Sequence, residues 1–212
     1  MSMSEQERYV LLDQYEEQAR ARGYRAIAGV DEAGRGPLAG PVAAAAVILD
    51  PLRPILGLND SKKLSASKRE HLYDQIRDQA LALAVVLVDA AEIDRINILQ
   101  ATKQAMRQAI SGLAIQPDLL LIDAVALDQV PSEVWPIIKG DAKSNSIAAA
   151  SILAKVTRDR LMQTFDSQYP DYGFARHKGY GTAQHYAAIR QFGLTPIHRL
   201  SFLKNLSDHA GT

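Results

Sequence analysis

Four carboxylates stand where an apolar strand ends or a buried helix begins, and those positions suggest chemistry. Asp31 and Glu32 follow the apolar stretch Ala26–Val30, Asp123 follows Leu119–Ile122, and Asp141 lies between Gly140 and a helix that begins near Ser144. Acids at the ends of neighbouring strands can converge on one edge of a sheet, where like charges repel unless protonated or bridged by cations. Hard oxygen donors without His or Cys suit Mg²⁺ or Mn²⁺ rather than Zn²⁺. Two such ions, roughly 3.5–4 Å apart, can activate water and stabilise the leaving oxygen of a phosphodiester. In a regular strand Asp31 and Glu32 point to opposite faces. Both reach one locus only if the backbone distorts, which the glycines of Gly34-Arg35-Gly36 permit. Taken singly, each acid is most often a cap or turn residue, and Asp141 could cap the helix near Ser144; only the four together bring the chemical reading level with that one. Asp50, Asp60, Asp89 and Asp118 are assigned that ordinary role.

The elements that must position these acids follow from hydrophobic pattern and punctuation. Residues 4–22 predict one amphipathic helix, with a Ser4/Glu7 capping box and Gly23 as its stop. Ala26–Val30 is a short buried strand, Gly34-Arg35-Gly36-Pro37 a turn, and Val42–Leu49 a second, alanine-rich strand that something packs against closely. After a loop over Asp50–Leu64, the pattern predicts a helix over Ser65–Gln79, with Glu70 three residues after Ser67. A strand over Leu81–Val88, a helical turn over Asp89–Asp94 and a helix over Asn97–Leu113 follow. Leu119–Ile122 is another strand. Val134–Ile138 is an edge strand, because Pro136 interrupts it. Ser144–Phe165 is a long buried helix, and Thr182–Gln191 a last one closed by Gly193. Tyr169–Thr182 is a loop-rich segment set apart from the core. Strands alternating with helices predict an α/β domain, and the opening strand pair makes its sheet mixed.

Composition narrows the classes. The chain has 212 residues, no cysteine, 47% hydrophobic residues and equal numbers of acidic and basic side chains. That excludes a disulfide scaffold, thiol catalysis and thiolate metal sites, and it argues against disorder. No signal peptide and no apolar run of membrane-spanning length is visible, so a cytoplasmic setting is expected. Residues 139–212 carry ten Lys/Arg against five Asp/Glu, while residues 1–138 carry the reverse excess; this is equally scattered surface charge or the mark of a polyanionic partner, and together with the glycine-rich turn it favours a polymer over a small phosphate. With no long exposed apolar face in the pattern, a monomer is expected.

The segment Gly29-Val30-Asp31-Glu32-Ala33-Gly34-Arg35-Gly36-Pro37-Leu38-Ala39-Gly40-Pro41-Val42 resembles the signature opening of type 2 ribonuclease H (ribonuclease HII). Further segments resemble that family in the same order. They are Asn59-Asp60-Ser61-Lys62, Lys139-Gly140-Asp141, the run from Ser151 to Asp159, His177-Lys178-Gly179-Tyr180-Gly181-Thr182, and Pro196-Ile197-His198-Arg199-Leu200-Ser201-Phe202. The resemblance implies a ribonuclease H-like fold: a mixed five-stranded sheet flanked by helices, with a small C-terminal helical extension. It divides the chain into a catalytic core with its N-terminal helix (1–168) and an extension that contributes to substrate binding (169–212). The implied activity is endonucleolytic hydrolysis of RNA in RNA–DNA hybrids and cleavage 5′ of ribonucleotides embedded in duplex DNA, leaving 3′-hydroxyl and 5′-phosphate ends. The family's metal-binding and catalytic acids fall on Asp31, Glu32, Asp123 and Asp141, holding two divalent ions, Mg²⁺ or Mn²⁺. One departure is that the family often has glycine after the third acid, where this chain has Ala124.

Residues for substrate follow. The 2′-hydroxyl is what tells RNA from DNA, and the main chain of Gly34, Arg35 and Gly36 resembles the family's junction-sensing turn. Tyr180 resembles the tyrosine that stacks on the next, deoxy, sugar; without the motif it would be a half-buried core tyrosine. Asn59, Ser61, Lys62, Lys143, Ser144, Arg176 and Lys178 suit phosphate oxygens, with solvated surface the alternative for each cation. Gly34-x-Gly36-x-x-Ala39 formally fits a dinucleotide fingerprint, but it leads into a strand rather than a helix. Trp135 is expected in the core, and the five histidines at surface, loop or cap positions. The alternatives are a ribonuclease HIII-like hybrid-specific enzyme, a catalytically inactive nucleic-acid-binding module and a carboxylate-metal hydrolase of small phosphates. An inactive module would not need all four acids.

Overall fold

The computed structural model describes residues 4–203. Its centre is a five-stranded mixed sheet of β1 (Ile27–Ala33), β2 (Val42–Ile48), β3 (Ala82–Val88), β4 (Leu119–Asp123) and β5 (Glu133–Ile137), in the order β3-β2-β1-β4-β5. The first three strands form an antiparallel meander, and β4 and β5 add in parallel on the other side of β1. β5, with Pro136, is the edge strand its proline requires. Trp135 on it is half-buried rather than core, its ring set edge-on to Tyr24.

Helices cover both faces. They are α1 (Glu5–Leu12), α2 (Gln14–Ala21), α3 (Ala66–Gln79), α4 (Ala90–Ile96), α5 (Ile98–Ser111), α6 (Asn145–Gln168), α7 (Phe174–His177) and α8 (Ala183–Phe192). Side chains of β2 alternate between the two layers. Ala44, Ala46 and Ile48 pack with Ala101, Ala105 and Met106 of α5, while Ala43, Ala45 and Val47 pack with α6 and with Leu72 and Ile76 of α3. Every residue of this strand is buried, so the alanines let helices close in from both sides. Contact is tightest at Gly29 of β1. A Cβ there would lie 2.0 Å from the Ser146 carbonyl carbon at the start of α6, a separation only glycine allows.

The caps are those the sequence advertises, with one shift. Ser4 and Glu7 form the capping box, and Asp89, Asn97, Ser144 and Thr182 accept amide hydrogen bonds at their helix starts. The cap of α3 is Ser65, which takes the Lys68 N–H, and not Ser67. Two boundaries differ from expectation. The N-terminal helix divides at Asp13, whose N–H is shared between the Tyr9 and Val10 carbonyls and whose carboxylate pairs with Arg20. β1 runs past Val30 because Asp31, Glu32 and Ala33 stay in register with Ala45, Ala44 and Ala43. Residues after 169 build a cluster of their own around Phe174 and Tyr172, which shares Met162 of α6 and Leu38 and Ala39 of the β1–β2 connection. The expected extension to residue 212 lies outside the described residues beyond 203. Among the described residues, no helix is long and apolar enough to cross a membrane.

Candidate active site

β1 and β4 are parallel neighbours, so their C-terminal ends deliver Asp31 and Asp123 to the same end of the sheet. Asp141 arrives from a 3₁₀ turn, Gly140–Ala142, immediately before α6. The Gly140 N–H donates to Asp123 Oδ1 at 2.7 Å and ties that turn to β4. One carboxylate oxygen from each of Asp31, Asp123 and Asp141 can be chosen so that all lie within 4.8 Å of one another. Glu32 lines the same cleft, with Oε1 facing the Arg35 guanidinium at 3.4 Å, but it is not part of that close set. The ladder of β1 is unbroken through both acids, so no distortion is needed for each to reach the cleft.

Burial and neighbouring acids raise the proton affinity of Asp31, Glu32 and Asp141. Asp31 is pushed well above its usual carboxylate value by burial and then by the charges of Glu32 and Asp123, despite accepting the Glu32 N–H at 2.7 Å. Glu32 is raised by burial, which the Arg35 charge offsets in part. Asp141 is raised by burial, then by Asp60 and Asp123. The donor set is entirely hard oxygen, and Glu32 Oε2 is buried with no hydrogen-bond partner. A small divalent cation fits both facts, because it would neutralise the cluster and give that oxygen a partner.

The cleft encloses about 300 Å³ between the acids and a wall of Gly34, Arg35, Gly36, Lys62 and Tyr180. A Cβ on Gly36 would sit 3.6 Å from the Tyr180 ring, so the glycine turn and the tyrosine adjoin in the cleft wall. Tyr180 is 47% exposed, which is inconsistent with a core role. Ser61 also lines the cleft, but its hydroxyl is buried against Ser151 Oγ at 2.9 Å. Asn59, Lys143, Arg176 and Lys178 are not among the walls. Asn59 Oδ1 accepts the Asp60 N–H, Lys143 and Arg176 are exposed, and Lys178 is half-buried with its proton affinity lowered by burial.

Ser144 departs from its assignment. It is fully buried, its Oγ donates to Glu16 Oε1 at 2.6 Å, and the same oxygen caps α6 through the Ile147 N–H. A phosphate cannot reach a hydroxyl used in this way. Asp60 departs in the other direction. Its Oδ1 does make the expected turn by accepting the Lys62 N–H, yet its carboxyl also faces Asp141 closely enough for a hydrogen bond. Ser151, Lys155 and Arg158 also line the cleft. Their spacing of i, i+4 and i+7 puts three polar side chains on one face of α6, a signal present in the sequence. His71 is exposed as expected, and His209 lies outside the described residues. His177, His185 and His198 are instead buried together, with His185 Nε2 3.1 Å from His198 Nε2 and its pKa lowered to about 4 chiefly by burial.

The sequence matches the family model of ribonuclease HII over residues 28–205. It is 58% identical over 204 residues to the ribonuclease HII of Ruminiclostridium cellulolyticum, covering 96% of this chain and 80% of that one. It is 60% identical over 191 residues to the ribonuclease HII of Enterococcus faecalis, covering 90% and 74%. Among solved structures, the ribonuclease H2 of Pyrococcus horikoshii superposes with a TM-score of 0.74 at 29% identity, covering 87% of this chain and 98% of that one.

Proposed function

The chain belongs to the ribonuclease HII family, and from that premise we propose that it hydrolyses RNA in RNA–DNA hybrids and cuts 5′ of single ribonucleotides embedded in duplex DNA. The products are a 3′-hydroxyl and a 5′-phosphate. One observation supports the reading most: Asp31, Glu32 and Asp123, the Gly34-Arg35-Gly36 turn and Tyr180 line a single cleft, and an Asp141 carboxylate oxygen lies within 4.8 Å of those of Asp31 and Asp123. In this reading, chemistry at a phosphorus and discrimination at the adjacent sugar share that cleft.

Asp31, Glu32, Asp123 and Asp141 would hold two divalent ions, Mg²⁺ or Mn²⁺. When bound, such ions supply a hydroxide-like nucleophile and stabilise the leaving 3′ oxygen. The protein's own part is to orient and exclude. The amides of the glycine turn reach the 2′-hydroxyl, and the Tyr180 ring packs on the following sugar, where a second hydroxyl would crowd it. Lys62 and Arg35 hold the strand through its phosphates. The segment from 169 onward, which delivers Tyr180, acts as a substrate-binding extension of the core.

The test is one DNA duplex with a single ribonucleotide, its all-DNA twin, and the same strands with and without Mg²⁺ or Mn²⁺. A nick 5′ of the ribonucleotide that requires both metal and the 2′-hydroxyl is expected. Cleavage in EDTA, or equal cleavage of the all-DNA twin, would refute the reading. Tyr180→Ala should lower cleavage at the lone ribonucleotide and leave the fold intact; unchanged turnover removes Tyr180 from the site.

A further inference from the structure

The connection from β1 to β2, residues 34–41, has no regular secondary structure, yet most of its carbonyls are held by two buried arginines. Arg199 is 0% exposed and donates to the carbonyls of Gly40 (2.9 Å), Arg35 (2.9 Å) and Gly34 (2.6 Å). Arg158 is 1% exposed and donates to those of Pro41 (2.9 Å) and Ala39 (3.1 Å). Among the described residues, neither guanidinium has a carboxylate at ion-pair distance. Burying a cation with neutral partners alone is expensive, so the arrangement calls for a reason beyond packing. Burial pulls the Arg199 pKa down to about 9, which leaves it charged at neutral pH.

Peptide geometry supplies the reason. Across a planar trans peptide the N–H points opposite to the C=O, and the described residues contain no cis bond. Arg199 draws the Gly34 and Arg35 carbonyls inward. The N–H groups of Arg35 and Gly36, on the far side of the same two peptide planes, must therefore point the other way. Gly34, Arg35 and Gly36 line the cleft and Arg199 does not. Neither N–H has an acceptor among the described hydrogen bonds.

We propose that Arg199 is a positioning residue that presets two adjacent amide donors, those of Arg35 and Gly36, for the ribose 2′-hydroxyl, so that selectivity for ribose depends on a side chain that never touches the substrate. The proposal rests on the ribonucleotide reading of the cleft. Its fork is essential, because a lysine at 199 keeps the charge but cannot span three carbonyls.

The experiment compares binding of the single-ribonucleotide duplex and its all-DNA twin by fluorescence anisotropy, with Ca²⁺ replacing Mg²⁺ to suppress turnover. Wild-type protein must prefer the ribonucleotide; equal affinities would sink the ribonucleotide reading itself. Given that preference, Arg199→Lys should shrink the affinity ratio by about tenfold, the loss expected when a donor pair is misaligned. Affinity for the all-DNA twin should stay within about twofold, because the charge on the protein is unchanged. A role confined to folding would weaken both duplexes alike and keep the ratio, and a preserved ratio in folded Arg199→Lys overturns the proposal. If that variant does not fold, the ratio is read on Asp94→Ala. The Asp94 carboxylate accepts the Leu200 and Ser201 N–H groups at 2.7 and 2.9 Å and so anchors the segment carrying Arg199. A drop of about twofold or more supports the proposal there, and an unchanged ratio overturns it.

Discussion

Asp31→Asn is expected to abolish cleavage and, in the metal-free protein, to raise stability. The folded chain holds the Asp31 proton more tightly than an unfolded chain does, because of burial and the neighbouring charges of Glu32 and Asp123. The contribution of this group to stability is therefore greatest in acid and declines as pH climbs from the ordinary carboxylate value through the raised folded one. Two unit charges at the 4.8 Å limit of the acid set oppose each other by about 3–4 kcal/mol at an effective dielectric of 20. A neutral side chain at 31 removes its share of this repulsion, so a gain of roughly 1–3 kcal/mol is expected. For a chain of this length that is about 3–10 °C in Tm. Asparagine keeps an oxygen for the Glu32 N–H, so the local backbone has no reason to move. Thermal melting in EDTA at pH 8 and pH 5 reads the effect, which should shrink at the lower pH. Titration with Mn²⁺ should then raise the wild-type Tm more than that of the variant. A variant that melts below wild type in EDTA at pH 8, or an equal metal-induced rise in both, would refute this account of the cluster.

Three other substitutions probe the frame. Gly29→Ala would force a methyl group to within 2.0 Å of the α6 backbone, and a loss of more than about 3 kcal/mol in urea unfolding is expected; near-wild-type stability would mean the strand and helix are not in this contact. Glu16→Ala leaves the buried Ser144 hydroxyl and Ser146 N–H without their acceptor and should cost about 2–4 kcal/mol, whereas a change under about 0.5 kcal/mol by the same measurement would contradict the staple between α2 and α6. Ala124 has φ of 49°, so Ala124→Gly should relieve left-handed strain and raise stability by roughly 0.5 kcal/mol after its extra unfolded-state entropy; a fall in Tm would count against that.

Much of the fold was legible because its signals are local. Apolar runs bounded by Ser, Asp, Asn and Gly marked the strands and helix starts, and Pro136 placed β5 at the edge. The break at Asp13 was not legible, because no glycine or proline marks it in the sequence. Around the acids, the motif order pointed to Asp31, Glu32, Gly34, Arg35, Gly36, Ser61, Lys62, Asp123 and Tyr180, which the structure brings into one cleft, and to Asn59, Lys143, Ser144, Arg176 and Lys178, which do not line it. The turn signal of Asp60 was correct and concealed its second position beside Asp141. Ser144 looked like a helix-start phosphate ligand because nothing local reveals that Glu16 lies over it. The buried histidines were missed for a similar reason: besides one another and the Thr195 hydroxyl, their partners are the Tyr180 and Tyr172 carbonyls and the Thr195 amide, main-chain groups that leave no mark in the pattern of side chains.

The alanine ladder of β2 also limits how this protein can drift. A larger residue there collides with a layer on one side, and a smaller one loosens the seat of the strand that carries two of the acids. Neither neighbouring layer can retreat without tilting the other, so a tolerated change at the centre calls for a compensating change in the facing helix. The sequence latitude of the molecule is thereby pushed outward, to the rim and the connections, away from the geometry on which hydrolysis depends.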